Sequence, residues 1–296
     1  MWRTGGARLA APDFKRSVFL VVVTAATALG LAQVGCKKSV GELQTFDVVA
    51  DAPGDPQHPA EVRIEMQKGE LHMTPGGIHL VGGAAKTNVS DLAPAPATSG
   101  YRATVTQGKP GVDATKWGNE LIADYRLTLG TTPMALTVTS REASVDLELG
   151  GLAIASLTAR TEAGPIRVGC NSANPMAAEL LDVETSAGSI SLTDVGRFGA
   201  SRVRAHAGAG VINVSLGSKV DREVALDLET QAGPVTLSLP AGISARADVT
   251  SDAGTLKLNG WNKDGEEYVL GSPGPKPRVR IHVKTGAGPI TFETLP

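Results

Sequence analysis

Apolar and polar residues alternate with a period of two along much of the chain, and the alternation recurs around an Ala-Gly dipeptide. The positions seven and five residues before each glycine, and two and four residues after it, are apolar in every repeat, as in Leu226/Leu228 and Val235/Leu237. Such alternation is typical of a strand with one buried face. Each repeat is therefore predicted to be a strand, a glycine turn and a second strand. The glycines are Gly164, Gly188, Gly210, Gly233, Gly254 and Gly288, at intervals of 24, 22, 23, 21 and 34 residues.

These repeats predict an all-β fold built by stacking. A seventh frame surrounds Ala143, where alanine replaces the glycine. A unit of about 22 residues cannot bury its apolar face alone, whereas stacked units can. We therefore expect a single-stranded parallel β-solenoid of about seven coils, with strands about 4.8 Å apart. The glycines supply a positive φ or a close backbone approach. A blade-type or sandwich arrangement would fit the same alternation.

The N-terminus has the features of an export signal. Basic residues precede an apolar run over residues 17–32, which is slightly short for a spanning helix. Val34-Gly35-Cys36 resembles a bacterial lipobox, although Gln33 stands where Leu is usual. The resemblance implies a lipoprotein signal over 1–35 and a lipid on Cys36. Cleavage after Ala32 and an uncleaved membrane anchor are the alternatives. Cleavage after Ala32 would allow a Cys36–Cys170 disulfide in an oxidising compartment.

The rest of the chain divides by composition and pattern. Residues 36–60 are rich in Pro, Asp and Gly and are interpreted as a tether. Residues 61–130 are predicted to be an irregular N-terminal β region that caps the first coil, because an open solenoid end exposes unpaired strand groups. The repeats occupy 131–296, with an insertion at 260–277. Trp261 and Tyr268 in this insertion suggest a binding loop; alternatively, Trp261 folds over the last coils as a lid.

Outward positions of three repeats carry alternating charge. Six and four residues before the glycine, successive units place acids, then bases, then acids. In a parallel stack these side chains become direct neighbours, so the alternation favours one register over a slip by one coil. The predicted ladder consists of Asp182/Glu184, Arg204/His206 and Asp227/Glu229.

Few residues suggest chemistry. The sequence has no HExxH, GxSxG, Walker A or CxxC motif, and its net charge of −2 makes nucleic acid an unlikely partner. His72 and His79 would face each other if the Pro75-Gly76 turn closed a hairpin; two imidazoles could hold a metal, but the sequence shows no third ligand. Cys170 falls in the inward column and is interpreted as a small buried hydrophobe. No catalytic residue, metal site or cofactor is therefore predicted, and the protein is not expected to be an enzyme.

The stretch LTVTSREASVDLELGGLAIASLTARTEAGPIRV resembles the toast-rack family of bacterial envelope proteins, and the later TGAGPITFE unit is similar to the related putative-adhesin repeat domain. The resemblance, over about residues 61–296, implies a β-solenoid on an exported, membrane-attached protein that faces the periplasm or the exterior. The function we expect is a lipid-anchored, adhesin-like binding surface. The expected partners are the membrane, through the N-terminal lipid, and another envelope protein or a surface glycan. An accessory role in an envelope stress-response system is the alternative, and a polysaccharide-active enzyme is a third. The sequence does not indicate an oligomeric state.

Overall fold

The computed structural model describes residues 39–220, 222–271 and 278–295, so the signal segment and Cys36 lie outside the described residues. Within them, all strands are hydrogen-bonded into one continuous sheet, which confirms the all-β prediction. Short 3₁₀ segments lie among the described residues at Ser90–Leu92, at Ala114–Glu120, which is interrupted at Gly118, and at Val195–Arg197. The strands are β1 Gln44–Ala50, β2 Ala60–Pro75, β3 Val81–Thr87, β4 Pro94–Ser99, β5 Arg102–Gln107, β6 Ala123–Leu129, β7 Met134–Glu148, β8 Ile154–Ala163, β9 Ile166–Gly169, β10 Ala178–Ala187, β11 Ile190–Thr193, β12 Ala200–Ala209, β13 Ile212–Ser215, β14 Val224–Ala232, β15 Val235–Pro240, β16 Ala245–Ala253, β17 Leu256–Leu258, β18 Asn262–Asp264, β19 Glu267–Leu270, β20 Val279–Ala287 and β21 Ile290–Leu295.

The repeat units stack in parallel, in two ladders that meet at the glycine bends. The first strand of each unit joins the first ladder, in the order β7–β8–β10–β12–β14–β20–β16. The second strand joins the second ladder, in the order β7–β9–β11–β13–β15–β21–β17. Inward residues of both ladders form one buried core that includes Leu181, Leu228, Ile190 and Ile212, each 0% exposed. The predicted inward positions pack into this core in every unit except the one at Gly254, where Leu256 is 40% exposed.

The last two units are out of chain order. β14 pairs with β20 and β15 with β21, whereas β16 and β17 lie beyond them. Our expectation that each coil lies on the one before it in sequence is therefore wrong here, because the unit at Gly288 lies between those at Gly233 and Gly254. In chain order, Asp227 would lie beside Asp248; in the observed order, His282 separates them. Like charges directly opposite each other on neighbouring strands are unfavourable, so the observed order is the better one electrostatically.

The glycines form a column in which each one touches the next. A Cβ on Gly210 would overlap the carbonyl oxygen of Gly188, and φ of Gly210 is 156°. The same overlap continues through Gly233, Gly288 and Gly254, in the spatial order of the units. The column extends to a residue that the sequence pattern did not identify, Gly69, which faces Ala143 and has φ of 125°. Apolar residues surround it at the same four offsets: Val62, Ile64, Leu71 and Met73.

The N-terminal region is more regular than expected and begins earlier. The segment interpreted as a tether contains a strand: β1 pairs antiparallel with β3 along its whole length, and Val48 and Ala50 are buried in the core. β2 runs parallel to β7 through both ladders. Beyond β2 lie β5 and β4 on the first ladder, and β6, β3 and β1 on the second. These added strands cover the open end of the stack.

Candidate binding surfaces

The predicted charge ladder lies on the outward face of the first ladder. Register places Arg204 between Asp182 and Asp227, and its guanidinium lies 4.0 and 3.8 Å from their carboxylates. His206 lies in register between Glu184 and Glu229. The ladder continues on both sides, because Arg160 contacts Asp182 at 3.0 Å and Glu184 at 3.3 Å, and Lys284 contacts Glu229 at 3.5 Å. His282 lies 3.2 Å from Asp248. Acidic and basic side chains therefore pair with one another on this surface, which we call the charged face.

The outward face of the second ladder has a different composition. Ser191, Asn213, Thr236 and Thr291 follow one another in register across four strands. Within the described part of the chain, none of these four side chains makes a hydrogen bond to protein. We call this surface the hydroxyl face and define it by Ser191, Thr193, Asn213, Ser215, Thr236, Ser238 and Thr291. All are half-buried or exposed. Arg167 borders it at one end and Lys257 at the other.

The insertion folds back onto the end of the stack. β18 and β19 form a hairpin, and β19 pairs antiparallel with β16 over Ala245–Ala247, which places Tyr268 opposite Ala247. The Trp261 ring lies 5.1 Å from that of Phe292, and both Trp261 and Tyr268 pack against the core. Arg246 fastens the hairpin through contacts of 2.8 Å to Glu267 and 3.3 Å to Asp264. The geometry matches the lid alternative for Trp261.

The two histidines near Pro75 do not face each other. β2 and β3 do not form a hairpin, because β6 lies between them. His79 bonds Asp51 at 2.7 Å, and Asp51 also accepts from the Leu80 amide at 2.8 Å. The hydrogen bond from the Leu80 amide, together with the one to the His79 imidazole, lowers the pKa of the Asp51 carboxyl. The hairpin prediction is wrong because, after β2, the chain crosses to the opposite side of β6 before it forms β3.

His72 instead lies among carboxylates. Ligand atoms of Glu70, His72 and Asp124 all lie within 4.8 Å of one another, close enough to share one divalent cation. Glu70 and Asp124 are direct neighbours across β2 and β6. Nδ1 of His72 lies 3.7 Å from Asp146, and Arg126 donates to Asp124 at 3.0 Å. These three residues come from two distant segments, so no local motif could indicate the group.

Cys170 is buried and unreactive. Its thiol donates to the Ser172 carbonyl at 3.2 Å, and burial raises its pKa to about 12. Since the thiolate is the nucleophilic form, this cysteine is inert at neutral pH. Its place in the inward column agrees with the sequence interpretation. The disulfide alternative involves Cys36, which lies outside the described residues.

No protein-family model and no curated protein matches the chain. Among solved structures, it is similar to a putative cell adhesion protein from Clostridium sporogenes, with 11% identity and a TM-score of 0.45, over 86% of this chain and 100% of that one. It is also similar to putative adhesins from Bacteroides fragilis (12% identity, TM-score 0.32, 85% and 97% covered) and Parabacteroides distasonis (8%, 0.30, 86% and 98%). At these identities and scores, the likenesses carry no argument about function. Among the described residues, no helix has the length and apolarity to cross a bilayer.

Proposed function

We propose that the chain is a non-catalytic, lipid-anchored envelope protein, and that its β-solenoid body binds a surface glycan through the hydroxyl face, in the manner of an adhesin. The observation that supports this is the contrast between the two outward faces. The charged face already uses its donors and acceptors in contacts such as Arg160–Asp182 and Lys284–Glu229. On the hydroxyl face, by contrast, the row Ser191, Asn213, Thr236 and Thr291 makes no side-chain hydrogen bond to the described residues, and its strands lie about 4.8 Å apart.

A neutral glycan suits the hydroxyl face chemically. Serine, threonine and asparagine side chains both donate and accept hydrogen bonds, as sugar hydroxyls do. Charged residues lie only at the borders of the face, at Arg167, Lys257 and Glu293, so its centre offers neutral hydrogen-bonding groups. An extended glycan could therefore meet repeated donors and acceptors along the stack.

Catalysis is not part of the proposal, because the stacked carboxylates are not free. Asp182 is only 11% exposed in its side chain and is held by Arg160 and Arg204. Asp227 shares Arg204. A general acid–base pair needs a carboxyl that can exchange its proton with substrate, whereas the carboxylates of both residues already contact arginine.

Binding of the full-length protein, in detergent, to a panel of immobilised envelope polysaccharides tests the glycan claim. We expect Asn213→Arg to weaken binding at least about tenfold, because the long cation covers the neighbouring hydroxyls and disrupts their hydrogen bonds. The matched control, Thr158→Arg on the charged face, should change binding less than about twofold. The claim fails if no polysaccharide binds or if both variants behave alike. Recovery of a membrane-protein partner by crosslinking, without glycan binding, would favour the signalling alternative.

Mass spectrometry of the mature protein tests the anchor separately. The expected N-terminus is a diacylglyceryl-modified Cys36. An unmodified N-terminus at Gln33 would contradict the anchor and reopen the Cys36–Cys170 disulfide.

A further inference from the structure

The fold begins very close to the proposed lipid site. The amide of Gly41 donates to the Asn88 carbonyl at 2.7 Å, and β1 starts at Gln44. Only three peptide units separate Cys36 from Ser39, the first described residue. Fully extended, they span at most about 11 Å. Each headgroup region of a bilayer is roughly 5–8 Å thick. A lipid on Cys36 would therefore hold the folded body close to the bilayer surface, because only a short segment of chain lies between them.

From this we infer that the N-terminal end of the stack rests directly on the bilayer surface, with Leu43 and Ile122 in the interfacial layer. The inference rests on the lipid anchor of the proposed function, and it concerns a different surface from the hydroxyl face. It also replaces the picture of a body on a 25-residue tether, because residues 44–50 of that segment belong to the sheet.

The surface at this end has the composition that a bilayer contact needs. Among the described residues, the large hydrophobic side chains with high exposure are Leu43 (53%), Val49 (49%), Ile78 (95%), Tyr101 (55%), Ile122 (51%) and Leu256 (40%). All except Leu256 belong to the N-terminal strands and the turns between them. Scattered exposed hydrophobics are ordinary, but their concentration at one end of the stack is informative.

Leu43 and Ile122 lie next to the point where the chain leaves the fold. Asn88 joins the segments that carry them: its amide donates to the Ile122 carbonyl at 3.2 Å, and its side chain accepts from the Ile122 amide at 2.8 Å. The Asn88 carbonyl accepts a hydrogen bond from the amide of Gly41, two residues before Leu43. The side chains of Leu43 and Ile122 therefore lie on either side of Asn88, near the point where the chain leads towards Cys36. An open cavity of about 530 Å³ between residues 39–42 and 88–91 leaves space beside them for headgroups.

Charge at the exit point is mixed: Glu42 and Asp91 line the cavity beside Leu43, whereas two basic residues adjoin Cys36. Lys37 and Lys38 follow Cys36 directly in the sequence. A basic residue near an anionic leaflet contributes about 1 kcal/mol, and interfacial apolar side chains add to that attraction. Lipid, basic pair and apolar contacts then act together to hold one orientation.

This placement determines which surfaces remain free. From β1 to β17 the second ladder crosses about ten strand spacings of about 4.8 Å, so the far end would stand roughly 50 Å above the membrane. The hydroxyl face would then run along the side of the body, and the β18–β19 hairpin would be the most distant element.

A depth measurement with the full-length lipidated protein in phosphatidylethanolamine/phosphatidylglycerol vesicles tests the inference. A single fluorophore is attached at Ile122→Cys or, as the matched control at the opposite end, at Leu256→Cys, each in a Cys170→Ala background. Spin-labelled lipid serves as the quencher. We expect the probe at 122 to be blue-shifted and quenched at least about twice as strongly as the probe at 256. Circular dichroism and the thermal midpoint of each variant must match those of unlabelled protein.

The possible outcomes separate this inference from the proposed anchor. Protein that fails to float with the vesicles would contradict the anchor and, with it, the docking. Protein that floats but shows equal quenching at 122 and 256 would overturn the docking alone, because the body would then be anchored without lying on the surface.

Discussion

A buried hydroxyl lies three residues before the glycine in several units and bonds across to the neighbouring one. Thr185 donates to the Gly164 carbonyl at 3.2 Å, and Thr230 donates to that of Gly210 at 3.3 Å. Buried hydroxyls need such partners, and here the partner is a carbonyl of the glycine column. The recurring Thr-x-Ala-Gly sequence therefore forms a bend in which the threonine hydroxyl of one unit bonds to the glycine carbonyl of the neighbouring unit. The sequence showed the repeated threonine, but its bonding partner lies in another repeat and could not be read from local spacing.

Replacement of Gly210 tests the close approach at the bend. We expect Gly210→Ala to lower the free energy of unfolding by about 2–5 kcal/mol, because the new Cβ overlaps the Gly188 carbonyl and φ is positive. Gly242→Ala is the matched control, since φ there is 74° but nothing lies within 4 Å of the added atom; it should cost only about 1–2 kcal/mol. Urea unfolding measures both. Equal losses would mean that conformation alone, and not the contact, requires glycine at 210.

At the scale of the strand, alternating charge favours the observed order of neighbours. Asp227 faces His282, and Glu229 faces Lys284, although these partners lie more than fifty residues apart in sequence. The signal was present in the sequence: Asp248 breaks the alternation after Asp227, and His282 and Lys284 restore it. Period-two alternation identifies which side of a strand is buried, but it does not identify the neighbouring strand.

A double-mutant cycle on Glu229 and Lys284 tests this pairing. Lys284→Glu places two acids side by side and should cost about 0–1 kcal/mol at low salt, since both side chains are about half exposed. Combining it with Glu229→Lys should recover most of the loss. In 1 M salt the coupling should largely vanish. Strictly additive single-variant effects at low salt would show that the two residues are not neighbours.

The β18–β19 hairpin acts as a cap on the last unit. Its position explains why Leu256, an inward residue by pattern, is still 40% exposed: β19 covers only the first residues of β16. We expect Trp261→Ala to cost about 1–3 kcal/mol through lost packing on Phe292 and the core. Tyr101→Ala, at a 55% exposed position, should cost less than about 0.5 kcal/mol. A negligible loss at Trp261, measured by thermal unfolding, would contradict the lid role.

For the whole molecule, local patterns predicted the parts better than their arrangement. The inward columns, the parallel register at Asp182–Arg204–Asp227 and the burial of Cys170 all follow from spacing around the glycines. The position of β1 in the sheet, the separation of β2 from β3 and the Glu70–His72–Asp124 group depend on contacts between distant segments. Local composition carries no information on such contacts, so Pro- and Asp-rich residues before β2 resembled a tether.

Disulfide trapping of the strand order tests the central structural claim, that the unit at Gly288 lies between those at Gly233 and Gly254. Asp227→Cys combined with His282→Cys joins residues one strand spacing apart, about 4.8 Å, within the range a disulfide spans. Asp227→Cys combined with Asp248→Cys is the matched control, with two spacings, or about 10 Å, between the residues. After mild oxidation, peptide mass spectrometry should find the 227–282 bridge and not the 227–248 bridge. Preferential formation of the 227–248 bridge would show that the units follow chain order and would contradict the arrangement described.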